Sequence, residues 1–176
     1  MKKIFALVAS LTAISAVCAG VLAYVDALTR EPIAQMLVKK TVEAAKAVLP
    51  PETVSVESAR FADGEEYFVG LGGDGNVVGY AVKGGDPGGY GGDVVLMVGL
   101  RADKTTVVCY KTLSAAETPG LGMKLNTVEF SSQFSGRDGS SLKVRKDGGD
   151  IDAITSATIT SRAVCGAIAS AVAKLR

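Results

Sequence analysis

Among its 176 residues the chain has no histidine, no tryptophan and only three cysteines, and its formal net charge is only +1. Each scarcity removes a class of chemistry. Without an imidazole there is no Ser-His-Asp relay, no histidine general base and no His-ligated zinc or haem. Cys18, Cys109 and Cys165 are too widely spaced for a Cys-x-x-Cys redox pair, and too few for the four thiolates of an iron–sulfur cluster. Any redox role therefore requires an organic cofactor, and neither a metal site nor a catalytic residue is expected of this chain. Cys109 and Cys165 read as small buried apolar residues, the usual fate of a free cysteine. Near-neutral charge with scattered lysines and arginines lacks the clustered basic footprint of a nucleic-acid binder. A Gly-x-Gly-x-x-Gly dinucleotide fingerprint after a strand is also missing, so the chain is not expected to oxidise a nicotinamide nucleotide by itself.

What the chain does have begins with an apolar run. No charged side chain interrupts Ile4 to Val25, a stretch matching the ~20 residues that span a bilayer as a helix. Lys2 and Lys3 precede it and Asp26 follows. The excess of positive charge assigns the amino end to the cytoplasm and the rest to the periplasmic or extracellular side of the cytoplasmic membrane. A cleaved signal peptide with small residues near Ala19 is the alternative, but the run exceeds the ~7–15 residue core of such peptides. Ion passage through a lone span without charges is not expected.

The remainder suits one compact domain, for which ~100–150 residues are typical. The stretch "REPIAQMLVKKTVEAAKAVLPP" puts Pro32 in a first helical turn and Ile33, Leu37, Val38, Val42, Ala45 and Val48 at helical spacing. Four runs rich in β-branched and aromatic residues follow, "EEYFVGL", "NVVGYAVKG", "DVVLMVGLR" and "TTVVCYKTL", with "GGDG" and "RADK" as hairpin turns. A short helix is expected over "LNTVEFSSQF". The end of the chain, with Ala163, Val164, Ala167, Ile168, Ala171, Val172 and Leu175 on one helical face, should pack on the sheet. The expected class is α+β: one N-terminal transmembrane helix, then an antiparallel sheet with packed helices. The division is an anchor over 1–28, a connecting helix over 29–51 and a domain over 52–176.

Three stretches carry candidate sites, each with two readings. In "DAITSATITSR", Asp152 to Arg162, five hydroxyls crowd the start of the last helix. They either cap its free N–H groups or surround an anion held by the helix terminus, with Thr155 and Ser156 as further donors. In "ETPGLG", Glu117 and Thr118 offer an acceptor and a hydroxyl, while Gly120 and Gly122 let the backbone approach a flat ligand around Leu121; an ordinary surface turn has the same pattern. In "GGDPGGYGGD", Tyr90 either stacks on a ligand or belongs to a loop of sharp turns.

In this order, with the leading helix, "ALTREPIA", "GYGGDVVLMVGL", "ETPGLG" and "DAITSATITSRAV", the chain resembles the G subunit of Rnf-type ion-translocating electron transport complexes. The resemblance extends to the related C subunit of the sodium-pumping NADH:quinone oxidoreductase, and covers nearly the whole chain. It implies that 52–176 is an FMN-binding domain. Its most specific motif, Asp-x-x-Ser/Thr-Gly/Ser-Ala-Thr, falls on Asp152, Thr155, Ser156, Ala157 and Thr158. By resemblance Thr158 is the threonine to which a flavin transferase joins FMN covalently through a phosphoester. Serine replaces the more usual glycine at Ser156, a strained choice if that position takes a positive φ.

The resemblance further implies an electron-transfer subunit that relays electrons through its FMN on the outer side of the membrane. Its complex would be of the ferredoxin:NAD type, alongside integral and peripheral partner subunits, and the chain would not be catalytic alone. Three other readings predict different behaviour: a component of a sodium-pumping NADH:quinone oxidoreductase, a free-standing extracellular electron-transfer protein, and a membrane-tethered non-redox scaffold.

Overall fold

The computed structural model describes residues 2–176. Its contacts divide the chain into two compact units between Lys40 and Thr41. Helix α1 spans Lys2–Val48. Up to residue 40 its side chains are exposed, among them Phe5, Leu11, Ile14, Val17 and Leu22, so this part has no core of its own. It is the one helix among the described residues that is long and apolar enough to cross a membrane. Pro32 does not open a helix as expected but sits inside this one. Proline forfeits a single i→i−4 bond, and in a 47-residue helix the turns on either side carry it.

The unit from Thr41 onward is built on a five-stranded antiparallel meander: β1 Ser55–Arg60, β2 Glu66–Leu71, β3 Val77–Asp86, β4 Val94–Arg101 and β5 Val107–Ser114, neighbours in that order. The four expected strands and both hairpin turns are present. β1 is an addition to them: "SVESAR" is mostly polar and exposed and takes its strand form by pairing with β2. Strand β4, inside the sheet, is buried on both faces and therefore reads as a continuous apolar run. Val98, Leu96 and Leu100 face one core with helix α3, Thr158–Leu175. Met97 faces a second core with Phe68 and Ala81, closed by Ala44, Ala45, Val48 and Leu49 at and just beyond the end of α1.

Six of the seven residues expected on the inner face of α3 are buried, and only Leu175 is half-buried. Each large aliphatic group placed there contributes ~1.5–3 kcal/mol. The helix lies so close to β3 that a Cβ on Gly84 would meet the Ala167 carbonyl oxygen at 2.0 Å. This contact fixes how closely the middle of α3 lies over the sheet.

The expected helix over "LNTVEFSSQF" is instead a chain of short turns: a 3₁₀ turn at Gly122–Asn126, a single α turn, α2, at Val128–Ser131 and another 3₁₀ turn at Ser132–Phe134. Leu125, Phe130 and Phe134 must all reach the core from this short segment, and breaking the helix lets them. A further 3₁₀ turn, Arg145–Asp147, ends in the left-handed Gly148, and Val144 beside it bridges to Ile151. The fold thereby sets residues 145–147 beside the start of α3.

Candidate functional site

The hydroxyls at the head of α3 do not cap it. Its N-cap is Ala157, with no side-chain cap, so the N–H groups of the first turn have no side-chain acceptor. The five hydroxyls have separate tasks. Buried Ser161 donates to the Ala157 carbonyl (3.0 Å) and accepts from the Ile154 N–H (2.9 Å), closing the turn from within. Buried Thr160 donates to Glu117 Oε2 at 2.8 Å. Thr155 and Ser156 are exposed. Thr158, the first residue of α3, is half-buried, and the Lys146 Nζ lies 3.4 Å from its Oγ1.

The turn before the helix is held from outside. Gln133 clamps the backbone of Asp152 twice, accepting from its N–H at 2.7 Å and donating to its carbonyl at 3.2 Å. The Asp152 carboxylate pairs with Arg145 at 2.6 Å. Ser156 has φ 63°, the left-handed region that disfavours any residue with a Cβ. The condition under which serine would be strained here is therefore met.

Glu117 organises the opposite wall. It is 6% exposed; Oε1 accepts from the Tyr90 N–H at 2.8 Å and more weakly from Gly91 at 3.5 Å, while Oε2 accepts from Thr160. Both carboxylate oxygens are thus engaged inside the protein, tying the glycine loop and "ETPGLG" to α3. Gly122 lies directly over this junction: a Cβ there would come within 2.4 Å of Glu117 Oε2. Gly120, at φ 75°, makes the turn that carries Leu121 outward, with the Leu121 and Met123 N–H groups both bonding the Thr118 carbonyl.

Between these walls lies a cavity of about 560 Å³, lined by Tyr90, Glu117, Thr118, Leu121, Gly122 and residues 156–160. Its size falls within the ~300–1,000 Å³ usual for ligand sites. The rim carries exposed Tyr90, Leu121 and Ile159, flat and apolar surfaces suited to a ring system. The same lining includes the uncapped start of α3, where the helix dipole favours an anion. Apolar surfaces and an anion-seeking helix terminus in one cavity fit a flavin ring and its phosphate.

Most of the sequence-derived candidates converge here: Glu117, Thr118, Leu121, Gly122, Ser156, Ala157 and Thr158 all line the cavity. Gly120 shapes the turn without lining it. Thr155 faces a smaller neighbouring cavity of about 170 Å³, which also contains Gln133 and Asp152. Sequence alone does not single out Ile159, Thr160 or Lys146. Tyr90, open to a stacking or a turn reading from sequence, does line the cavity. Of the cysteines, Cys165 is buried and burial pushes its thiol up to about 11, while half-buried Cys109 is raised for the same reason. Neither lines the cavity.

Comparison with known proteins agrees with this geometry. Residues 89–173, the stretch from the Tyr90 loop to the last turns of α3, match the FMN-binding domain family. The G subunit of an ion-translocating oxidoreductase complex from Methanosarcina acetivorans is 33% identical over 97% of this chain and 94% of its own length. The G subunit of the Na(+)-translocating ferredoxin:NAD(+) oxidoreductase complex from Acetobacterium woodii is also 33% identical, over 95% of this chain and 89% of its own. Among solved structures, Shewanella oneidensis NqrC shares the fold, with a TM-score of 0.51 at 20% identity over 72% of this chain and 66% of that one. With nearly full-length matches at this identity, the chain belongs to the G-subunit family of ion-translocating oxidoreductase complexes, and residues 89–173 are its FMN-binding part.

Proposed function

We propose that this chain is the electron-relay component of a membrane-bound ion-translocating oxidoreductase of the ferredoxin:NAD type, and that it carries FMN joined covalently to Thr158. The observation that carries the reading is the position of Thr158. Of the five hydroxyls, it alone combines the first position of an uncapped helix, a place in the cavity wall and a neighbouring ammonium. Thr160 and Ser161 are buried and engaged, and Thr155 faces away from the main cavity.

A flavin transferase is the partner required for maturation. In that step the Thr158 Oγ1 forms a bond to the flavin-bearing phosphorus of a flavin dinucleotide, the bond from that phosphorus to the bridging oxygen breaks, the nucleoside monophosphate leaves, and the hydroxyl proton passes to a base of the transferase. When bound, FMN supplies the electron-transfer chemistry that this histidine-free chain cannot provide from its own side chains. The protein contributes placement. The first N–H groups of α3 would hold the phosphate charge, Leu121, Tyr90 and Ile159 would offer a ring apolar surface, and Glu117 ties both walls together.

The division proposed is an anchor over 1–28, a connecting segment over 29–51 that continues the same helix as far as Val48 and whose last turns join the core, and an FMN-binding domain over 52–176. Lys2 and Lys3 before the apolar run support a cytoplasmic amino end and a domain on the outer side. The partners are the integral and peripheral subunits of the same complex. The Acetobacterium woodii relative favours ferredoxin:NAD over NADH:quinone chemistry, since the likeness to NqrC is one of fold.

The test is Thr158→Ala, produced in the membrane of a host with an active exported flavin transferase. Wild-type protein should fluoresce as a denatured gel band and the variant should be dark, with an unfolding temperature close to wild type, because the side chain caps nothing. Flavin fluorescence retained by the denatured variant would overturn the assignment.

A further inference from the structure

We propose that Lys146 is the counter-charge of the phosphate on Thr158, holding the threonine oxygen before modification and pairing with the non-bridging phosphate oxygens after it. The inference rests on the covalent reading above and deepens it. Lys146 lies twelve residues before Thr158, on the 3₁₀ turn Arg145–Asp147, and its Nζ is 3.4 Å from the Thr158 Oγ1.

The first argument is electrostatic. A helix amino terminus is the positive end of its dipole, where a cation is disfavoured and an anion is favoured. Lys146 nevertheless brings an ammonium to the first residue of α3, whose N–H groups have no side-chain cap. Two positive ends facing one hydroxyl form a stable arrangement once a negative charge occupies the space between them. A diester phosphate on Thr158 Oγ1 brings one full negative charge to that space.

The second argument is that both arginines of this corner already have partners. Arg145 pairs with Asp152 at 2.6 Å, and Arg162 grips Asp147 through two hydrogen bonds of 2.7 Å. Among the described residues Lys146 makes no ion pair: Asp147, whose charge Lys146 and Lys143 both feel, is already gripped by Arg162, and the hydrogen bond of Lys146 is to Thr158. Those same two ion pairs, with the Val144 to Ile151 bridge, anchor the turn to both the 152 loop and α3. The backbone of Lys146 is fixed while its long side chain can follow the phosphate. An ammonium only donates, so Thr158 Oγ1 accepts from it and its own O–H stays free to give up its proton to the transferase.

The experiment follows FMN incorporation into the full-length protein by intact mass, with a flavin transferase present, for wild type, Lys146→Met, Lys146→Gln and Lys146→Arg. Methionine keeps most of the apolar stem without the charge, and glutamine is the second neutral variant. Both should incorporate FMN about three- to tenfold more slowly, the range spanned by partly exposed charge-assisted contacts, and arginine should restore most of the rate. The ratio of wild-type to Lys146→Met rates should shrink toward one at ~1 M salt, where charges are screened beyond ~3 Å. A purely structural role would not respond to salt or to arginine. Wild-type protein that gains no mass at Thr158 overturns the covalent reading and this proposal together. Wild-type protein that is modified while Lys146→Met matches its rate overturns the role of Lys146 alone. A slow Lys146→Met whose defect is shared by Lys146→Arg and is insensitive to salt also overturns that role.

Discussion

Thr160 Oγ1 lies 2.8 Å from Glu117 Oε2, a hydrogen bond between two buried side chains 43 residues apart in sequence. Through it the head of α3 is tied to the loop following β5. Through the other carboxylate oxygen the tie extends to the Tyr90 loop before β4. Three segments distant in the chain thus meet at one buried carboxylate, and the cavity is the space they enclose.

Removing that carboxylate should loosen all three. Glu117→Ala leaves the Tyr90 N–H and the Thr160 hydroxyl without their acceptor and should cost ~2–3 kcal/mol of stability. Glu117→Gln should cost less than ~1 kcal/mol, because its amide can accept from Tyr90 and donate to a reoriented Thr160 hydroxyl. Denaturant unfolding of the two variants checks the order. Equal losses would show that the shared acceptor is not what matters.

Ser156 at φ 63° predicts a gain on substitution. A left-handed residue with a Cβ is strained by ~1–2 kcal/mol, and part of the relief is offset by the freedom glycine adds to the unfolded chain. Ser156→Gly should therefore stabilise by ~0.5–1 kcal/mol without reducing FMN incorporation. Ser156→Val, β-branched at the same angle, should lower the unfolding temperature. A glycine variant less stable than wild type would contradict this account.

Asp103, in the β4–β5 hairpin, gives the acid dependence. The Thr106 hydroxyl at 2.6 Å, then the backbone N–H groups of Thr106 and Thr105, hold its carboxyl at about 2, below the ordinary 3.8. A carboxyl depressed by folding stabilises the protein fully above its unfolded value and loses that contribution as pH falls through the folded one. Asp103→Asn should therefore be less stable than wild type at neutral pH, and the difference should shrink between about pH 4 and pH 2. Unfolding curves across that range test the sign.

Cys165 is 5% exposed and its thiol is raised to about 11 by burial. A maleimide at neutral pH should leave it unlabelled in the native protein and modify it after denaturation, as peptide mass mapping would reveal. Native labelling would mean that the inner face of α3 opens.

Much of this architecture is legible before any coordinates. Alternating or continuous apolar runs mark β2 to β5, because a sheet face must be buried, and the spacing of Ala163, Val164, Ala167 and Ile168 marks the buried face of α3. Pairing alone makes a strand of "SVESAR", so β1 leaves no apolar signature. The segment from Gly122 to Phe134 has helical composition, but three core contacts break it into turns. At the site, glycines and hydroxyls suit a ligand loop and an ordinary turn or cap alike, and only the resemblance chooses between them, whereas Glu117 as an internal tie and Lys146 beside Thr158 depend on contacts between distant segments. No local pattern encodes those contacts.

The central claim is tested most directly by the intact mass of the membrane-purified protein from a host with an active exported flavin transferase, followed by peptide mapping. The account predicts a gain of one FMN less one water, confined to the peptide containing Thr158. An unmodified mass, in a host whose transferase loads a control substrate, would contradict it.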